Sequence, residues 1–537
     1  MRRTSLRKRS FSGLIALMLS CSLHARASER DLDGFIKEEM QRWAIPGLAV
    51  AVVRDNRVEF VKGYGLRQVD RAERVDEHTT FGIGSVTKSF TATSAAMLVD
   101  EGKLAWDAPV IDYLPTLHFF DPWITAHATI LDLASHRLGI DESAIYMVRG
   151  GNIDQTARAV RYMRPTVPFR TFLYSNTGYA LLGKTVADTS GMSWDDFIAT
   201  RIFKPLGMND SYPSEHSFMD ADRIASCWLC EAPAGAPLGR EALRNREANM
   251  AVPHGLVEAG NPRADVKSRV SILPWRSERS VAPTGLIHSS AHDMAQWLLL
   301  HLGQGEYHSQ RLLSVEQIKQ IHSPHALVPE SDSAPVTGFR LEGYGMGWFV
   351  GTYRGRPASQ HGGGRVGYGS QVWLFPEQKL GVVVLQNLDY REGPPLSHIA
   401  MRLADQYLGV AHEHDVAAHA RAAEPRVMGS RASVCGSSKS DSAAPELNRY
   451  AGSYHNDVLG EARIAIEGDH AVLRFEPGAT ADLRSRSATD FAMCFRGHEQ
   501  QPAPMTFTFD ATGAPIGFTV GTVDPDNPSN LGFRRIR

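Results

Sequence analysis

Apolar residues recur with helical spacing from Ser28 to Trp43, at Leu32, Phe35, Ile36, Met40 and Trp43, the signature of a helix with one buried face. Pro46-Gly47 ends that pattern. Leu48–Val53 and Arg57–Gly65 then read as two strands joined by a turn at Asp55-Asn56. Far along the chain the same signals return. Gln371–Phe375 and Leu380–Asn387 form a hairpin pattern around Pro376-Glu377, and Leu396, Ile399, Leu403 and Tyr407 mark a helix after it. The stretch between, residues 85 to 325, is mostly helical with long loops. These elements predict an α+β protein: one antiparallel sheet assembled from both ends of the region, flanked by helices, with a helical domain inserted between. A cleft between sheet and insert is the expected place for a site.

After Val410 the pattern changes. Ala411–Pro445 is rich in Ala, Ser, Arg and His and nearly free of large apolar residues, so it reads as a linker. His412, His414, Asp415 and His419 do not share one helical face, which favours a solvated linker over a metal site. From Leu447 the pattern is β. Arg463–Glu467 and His470–Phe475 flank a Gly468-Asp469 turn, and Met505–Phe509 and Pro515–Val520 flank Asp510–Ala514. Several short strands separated by turns predict a small sandwich or barrel. No catalytic constellation stands out in it.

The first residues alter the charge balance. Arg2, Arg3, Arg7, Lys8 and Arg9 precede an apolar run from Phe11 to Leu23, too short to span a membrane, and Ala25-Arg26-Ala27 follows. This reads as a secretory signal peptide over residues 1–27, with Cys21 a weaker lipidation alternative. The leader holds six of the 57 basic residues and no acid, leaving 51 against 59 acidic ones and a net charge of −8. That balance argues against nucleic acid as a partner. No later run is long enough to cross a membrane. The expected location is periplasmic or secreted. In an oxidising compartment Cys227, Cys230, Cys435 and Cys494 can pair in three ways, and Cys227-Trp228-Leu229-Cys230 could close a small loop.

Three short motifs carry chemistry. Gly84-Ser85-Val86-Thr87-Lys88 puts a hydroxyl and an amine at i and i+3, on one face of the helix expected to follow. Ser85 also fits an ordinary N-cap, but a lysine in the first turn opposes the helix dipole. Tyr174-Ser175-Asn176 offers a phenol able to take and return a proton; the alternative is a plain turn, with Asn176 capping a helix that begins near Tyr179. His361-Gly362-Gly363-Gly364 offers backbone N–H groups to an oxyanion, or is a flexible turn.

In this order S-x-x-K, Y-x-N and H-G-G resemble the three motifs of the serine β-lactamase and penicillin-binding-protein superfamily. The nearest branch is that of class C β-lactamases, D-alanyl-D-alanine carboxypeptidases, D-aminopeptidases and related esterases. Thr129-Ile130-Leu131-Asp132-Leu133-Ala134-Ser135-His136, Pro205-Leu206-Gly207-Met208 and Tyr344-Gly345-Met346-Gly347-Trp348 resemble accessory segments of the family. Tyr450-Ala451-Gly452-Ser453-Tyr454 onward looks like the lipocalin-like domain appended to many such hydrolases.

The resemblance implies a β-lactamase/transpeptidase-like domain over residues 28–410, a linker over 411–445 and an all-β barrel over 446–537. It implies a serine hydrolase acting through an acyl-enzyme on an ester or amide: a D-amino-acid peptide, an ester or a β-lactam. A weakly catalytic penicillin-binding or cell-wall peptide-binding protein is the alternative. Ser85 would be the nucleophile, Lys88 would assist its deprotonation, and Tyr174 would be the general acid/base. The backbone N–H groups of Ser85 and Gly364 would form the oxyanion hole, and Asn176, His361, Gly362 and Gly363 would bind substrate. The substrate is a small molecule or peptide; no metal, no organic cofactor and no particular oligomeric state is implied.

His361 departs from the lysine of many relatives, and this points away from a dedicated β-lactamase. If His361 draws an anionic substrate group as imidazolium, KM should rise above about pH 6.5. His136-Arg137-Leu138-Gly139 replaces a more usual Ser/Thr-containing turn and reads as a loop variation.

Overall fold

The computed structural model describes residues 31–140, 153–214, 249–256, 266, 270–273, 281–329, 338–389, 396–410, 446–456, 460–476, 480–495, 503–520 and 531–536. The leader, Cys21, Cys227, Cys230, Cys435 and the linker with its histidines lie outside these residues. Cys494 is disulfide-bonded.

In chain order, α1 (residues 31–43) leads into β1 (Gly47–Arg54), β2 (Arg57–Gly65) and the short β3 (Thr80–Gly82). The helical insert contributes α2 (Thr87–Asp100), α3 (Ile130–Ala134) and α4 (Asn176–Ser190). Next come β4 (His288–Ser290) and α5 (Ala291–Leu302), then β5 (Phe339–Tyr344), β6 (Phe349–Tyr353), β7 (Arg356–Arg365), β8 (Tyr368–Phe375), β9 (Leu380–Gln386) and α6 (Leu396–Leu408). The main sheet has seven strands in the order β2-β1-β9-β8-β7-β6-β5, every pair antiparallel. The two ends of the region meet where β1 pairs with β9, Leu48 opposite Gln386 and Val52 opposite Val382.

Both faces of this sheet are covered, and β1 shows how. Ala49, Ala51 and Val53 join the core shared with α2 and α5, whereas Leu48, Val50 and Val52 join the core shared with α1 and α6. The two-residue side-chain period of a strand sends alternate residues to opposite faces. Because both sets are apolar, β1 reads as a continuous hydrophobic run.

Helix α2 is buried all round rather than amphipathic, with every residue from Thr87 to Leu98 inside. Its small hydroxyl residues make this possible. Ser89 Oγ and Ser94 Oγ donate to carbonyls of their own helix, Thr91 Oγ1 donates to the Pro283 carbonyl at 2.7 Å, and Trp297 Nε1 donates to Ser89 Oγ. These buried hydroxyls thus find partners and avoid a desolvation penalty, whereas Thr93 Oγ1 in the same helix has none among the described residues. Phe90 stacks on Trp297 with ring centroids 3.8 Å apart.

The C-terminal strands β10 (Gly452–Asn456), β11 (Gly460–Glu467), β12 (His470–Glu476), β13 (Thr480–Ser485), β14 (Asp490–Phe495), β15 (Ala503–Phe509), β16 (Pro515–Val520) and β17 (Leu531–Arg535) close into an antiparallel barrel. Its core is apolar and aromatic, with Tyr450, Phe507 and Phe518 in ring contact around Tyr454 and Phe491. Of the sandwich and the barrel allowed by the strand pattern, the barrel is realised.

Two local expectations are corrected. The glycine run His361–Gly364 is not a turn but the interior of β7, pairing with β8 so that His361 faces Val372 and Gly363 faces Ser370. The N-cap position of α4 is Ser175, and Asn176 is its first helical residue. The Asn176 amide oxygen accepts instead from Lys88, at 2.6 Å.

Candidate active site

Ser85 sits in a single tight turn, Gly84–Val86, between β3 and α2. The helix N-cap position is Val86, with no side-chain cap, so Ser85 is not a capping residue. Two backbones meet here. Gly84 has φ +51°, and a Cβ on it would lie 2.6 Å from the Gly364 nitrogen. A Cβ on Gly363 would lie 1.9 Å from the Ile83 carbonyl oxygen. Strand β7 therefore runs directly against the turn that carries Ser85, and only residues without a side chain permit that approach. Ser370 Oγ, opposite Gly363, donates to the Ile83 carbonyl at 2.7 Å and fixes the contact.

Lys88 is fully buried one helical turn on. Its ammonium donates to Ser85 Oγ at 3.1 Å, Asn176 Oδ1 at 2.6 Å and the Thr284 carbonyl at 3.0 Å. These three oxygens match the three donors of a lysine head group. They come from the Ser85 turn, the start of α4 and the segment before β4, so one side chain ties the three together. Lys88 Nζ also lies 4.9 Å from the ring centroid of Tyr174. Ser85, Lys88, Tyr174 and Asn176, spread over 92 positions of sequence, thus share one cluster.

Tyr174 is held by a residue that the motifs did not single out. His136 takes φ +58°, a left-handed conformation uncommon for side chains other than Asn, Asp and His. Its carbonyl accepts from Leu173 N at 2.9 Å and its Nδ1 accepts from Ser175 N at 3.1 Å. The two neighbours of Tyr174 in sequence are therefore clamped to one residue, whose ring lies against the Tyr174 ring at 4.3 Å. The loop carrying His136 is anchored by α3, where Thr129 and Asp132 form a capping box and the buried Asp132 also pairs with Arg137 at 2.6 Å. Since Nδ1 accepts, the ring proton of His136 is on Nε2, which has no hydrogen-bond partner among the described residues. The available signal was its place in the accessory segment Thr129–His136 that the family resemblance picked out.

The electrostatics keep the imidazoles neutral. Burial, followed by the charge of Lys88, pushes His361 down to about 3. Burial, then Lys88 and His361, holds His136 well below the ordinary histidine range. His361 Nδ1–H donates to the Gly362 carbonyl at 2.6 Å, and its Nε2 accepts from the Tyr344 hydroxyl at 3.1 Å. The imidazolium form that a rise of KM above pH 6.5 would require is therefore disfavoured in this setting. A desolvated ring beside a buried ammonium has no reason to take a second proton. Burial also raises Tyr344 and Tyr179, so both remain phenols, Tyr179 donating to the Ala134 carbonyl at 2.6 Å.

Residues 32–406 match the family described as Beta-lactamase, and residues 437–530 match a domain of unknown function, DUF3471. Two Aspergillus proteins, the unguisins hydrolases ungD of A. violaceofuscus and ungD' of A. campestris, are 25% and 28% identical over 71% of this chain. The chain spans about two thirds of their length, 65% and 66%. Penicillin-binding protein 4 of Amycolatopsis lactamdurans is 30% identical over 349 residues, 64% of this chain and 81% of that protein. The octameric penicillin-binding protein homologue from Pyrococcus abyssi shares the fold, with a TM-score of 0.56 at 23% identity over 94% of this chain and 99% of that one. With the family match running from α1 to the end of the sheet domain, the chain belongs to the beta-lactamase family.

Proposed function

We propose that the protein is a serine hydrolase that cleaves an ester or amide bond through an acyl-enzyme on Ser85. The observation that carries this is the buried Lys88 ammonium shared between Ser85 Oγ and Asn176 Oδ1. Because Lys88 already donates to Ser85 Oγ, it acts as a cation that stabilises the developing alkoxide, and Tyr174 is the group that moves the proton. Ser85 Oγ attacks the carbonyl carbon while its proton passes to Tyr174, which takes it as a phenolate beside the Lys88 ammonium. The tetrahedral oxyanion is held by the backbone N–H groups of Ser85 and Gly364. Tyr174 returns the proton to the leaving amine or alcohol. Water then gives a proton to Tyr174 and attacks the acyl carbon, and Ser85 recovers its hydrogen as the acid leaves. Asn176 contacts the substrate amide, and β7 offers its backbone to substrate at Gly362 and Gly363, the side-chain position of Gly363 being filled by the Ile83 carbonyl. Neutral His361 contributes shape and a hydrogen-bonded wall rather than charge. Substrates bearing a D-amino-acid amide, a simple ester or a β-lactam suit this site.

The reading extends to the whole chain. Residues 1–27 direct it to the periplasm or outside, 28–410 form the hydrolase domain, 411–445 link it, and 446–537 form the barrel domain. No described helix is long and apolar enough to cross a membrane. The test is turnover of chromogenic esters, D-amino-acid amides and a chromogenic cephalosporin by wild type and Ser85→Ala, with intact-mass detection of an acyl adduct on Ser85. Wild-type protein with no Ser85-dependent turnover on any of them would overturn the reading. The similarity to a penicillin-binding protein favours one alternative, a protein that is acylated and stays so. A labelled penicillin still bound after long incubation would select it.

A further inference from the structure

Residues 78, 210 and 292 are distant in sequence, and strand register brings them together. β3 and β4 pair antiparallel with Gly82 opposite His288 and Thr80 opposite Ser290. Two steps further out, His78 comes to face His292, their ring centroids 4.7 Å apart. On the other side Tyr212 bridges to His288, which sets Asp210 beside Ser290, whose hydroxyl donates to Asp210 Oδ2 at 2.8 Å. One ligand atom from each of His78, Asp210 and His292 lies within 4.8 Å of the others, and all three side chains are partly open to solvent.

We propose that His78, Asp210 and His292 form a site for a divalent transition-metal ion of the zinc class, separate from the catalytic cluster. Two imidazole nitrogens and one carboxylate oxygen are a donor set suited to such an ion, leaving a position for water. The outer support that metal-binding histidines use is already in place. The buried Asp293 carboxylate accepts from His292 Nδ1 at 3.1 Å, so the lone pair of the neutral ring is on Nε2, away from Asp293. Asp293 is itself fixed by Ser211 Oγ and by Asp210 N, both at 2.8 Å. His78 Nδ1 lies 2.8 Å from Asp210 Oδ2. The hydrogen of this contact sits on Nδ1, where the cation would bind, so metal binding requires the neutral ring to carry its single hydrogen on Nε2 instead.

The ladder gives the ion a structural role. At its inner end β3 runs into Ile83-Gly84-Ser85, and the segment before β4 supplies the Thr284 carbonyl to Lys88. An ion at the outer end clamps both strands and stabilises the folded state through binding linkage, with no step in the chemistry.

The test uses full-length protein stripped with EDTA and dialysed. ZnCl2 is titrated by calorimetry, and Co2+ is followed through its visible d–d absorption. Wild type should bind one equivalent, its Co2+ spectrum should be displaced by Zn2+, and its unfolding midpoint should rise on saturation. His78→Ala/His292→Ala should lose all three responses, and Asp210→Asn should weaken binding by at least about tenfold. If the double variant fails the tryptophan-fluorescence check for folding, His292→Gln, which preserves side-chain volume, takes its place and should lose the equivalent. Wild type that binds no Zn2+ at micromolar concentration, or variants that bind as wild type does, would overturn the proposal.

Discussion

The sheet domain and the barrel solve the packing problem in opposite ways. The barrel core is built of apolar and aromatic side chains, with Tyr450 and Tyr454 sending their hydroxyls to the carbonyls of Ala488 and Tyr450. The sheet domain buries Lys88, Asp132, His136, His254, His288, His301 and His361. The difference teaches what an interior that holds a buried charge demands. A buried ammonium must be ringed by oxygens and neutral rings, and the stability of those rings then depends on pH.

The sharpest way to break the comparison is to remove the Ser85 hydroxyl, the proposed nucleophile. Ser85→Ala should lower kcat by a factor of about 10⁴ or more, judged by other acyl-transfer sites, while leaving the circular dichroism of both regions unchanged. Residual turnover close to wild type would show that the cluster is structural.

Acid should separate the two regions next. Burial pushes His254 and His288 down to about 4, and His322 and His361 down to about 3. Their folded values lie below the unfolded value of about 6.5. The stability they contribute is therefore complete above that pH and is lost as pH falls, because only the unfolded chain takes up the protons. Each group costs up to about 3 kcal/mol by pH 4, and together they rival the about 5–15 kcal/mol of a typical domain. All nine tryptophans precede residue 374, so tryptophan fluorescence reports the sheet domain alone. It should show unfolding between pH 6 and 4. A flat signal down to pH 4 would contradict the burial of these rings.

Two glycines make a smaller and more local contrast. Gly363→Ala forces a methyl against the Ile83 carbonyl and should destabilise the sheet domain by about 3 kcal/mol. Gly468→Ala, at φ +64° in the exposed barrel hairpin with nothing within reach of a Cβ, should cost the barrel only about 1 kcal/mol. Urea midpoints read by tryptophan fluorescence and by far-ultraviolet circular dichroism compare the two. Equal costs would mean that β7 is not pressed against the Ser85 turn.

His136 sharpens the role of the buried rings. His136→Ala removes the acceptor for Ser175 N and should lower kcat by about 10²-fold with little change in KM, the scale of a misplaced catalytic group. His136→Asn restores an acceptor and tolerates the left-handed backbone, so it should recover part of the loss. Equal losses in both variants would reject a positioning role. The smallest effect is expected from the barrel: deleting residues 446–537 should change kcat by only a few-fold. A larger loss would make the barrel part of the site.

Much of this was legible in the chain. The paired hairpins 47–65 and 368–386 showed in periodicity, because burial on one or both faces writes itself into apolar spacing. The Ser85–Lys88 pair showed because a helix turn fixes the geometry of i and i+3 whatever surrounds it. The strand nature of 361–364 did not show, since glycine carries no side-chain pattern and its need arises from a backbone 280 positions away. The charge state of His361 could not be read for a related reason: the ordinary histidine value applies in water, and neither burial nor the distance to Lys88 is written locally.

What the sequence determined by itself, then, was the order of elements, the turn holding Ser85 one helical turn from Lys88, and the identity of the groups able to do chemistry. Only the tertiary structure decided which oxygens surround Lys88, that His136 clamps both neighbours of Tyr174, and that His78, Asp210 and His292 converge at the end of a short ladder. Local periodicity is set by a residue's own neighbours, whereas proton affinity, close backbone approach and shared ligation depend on groups that only folding brings within a few ångströms.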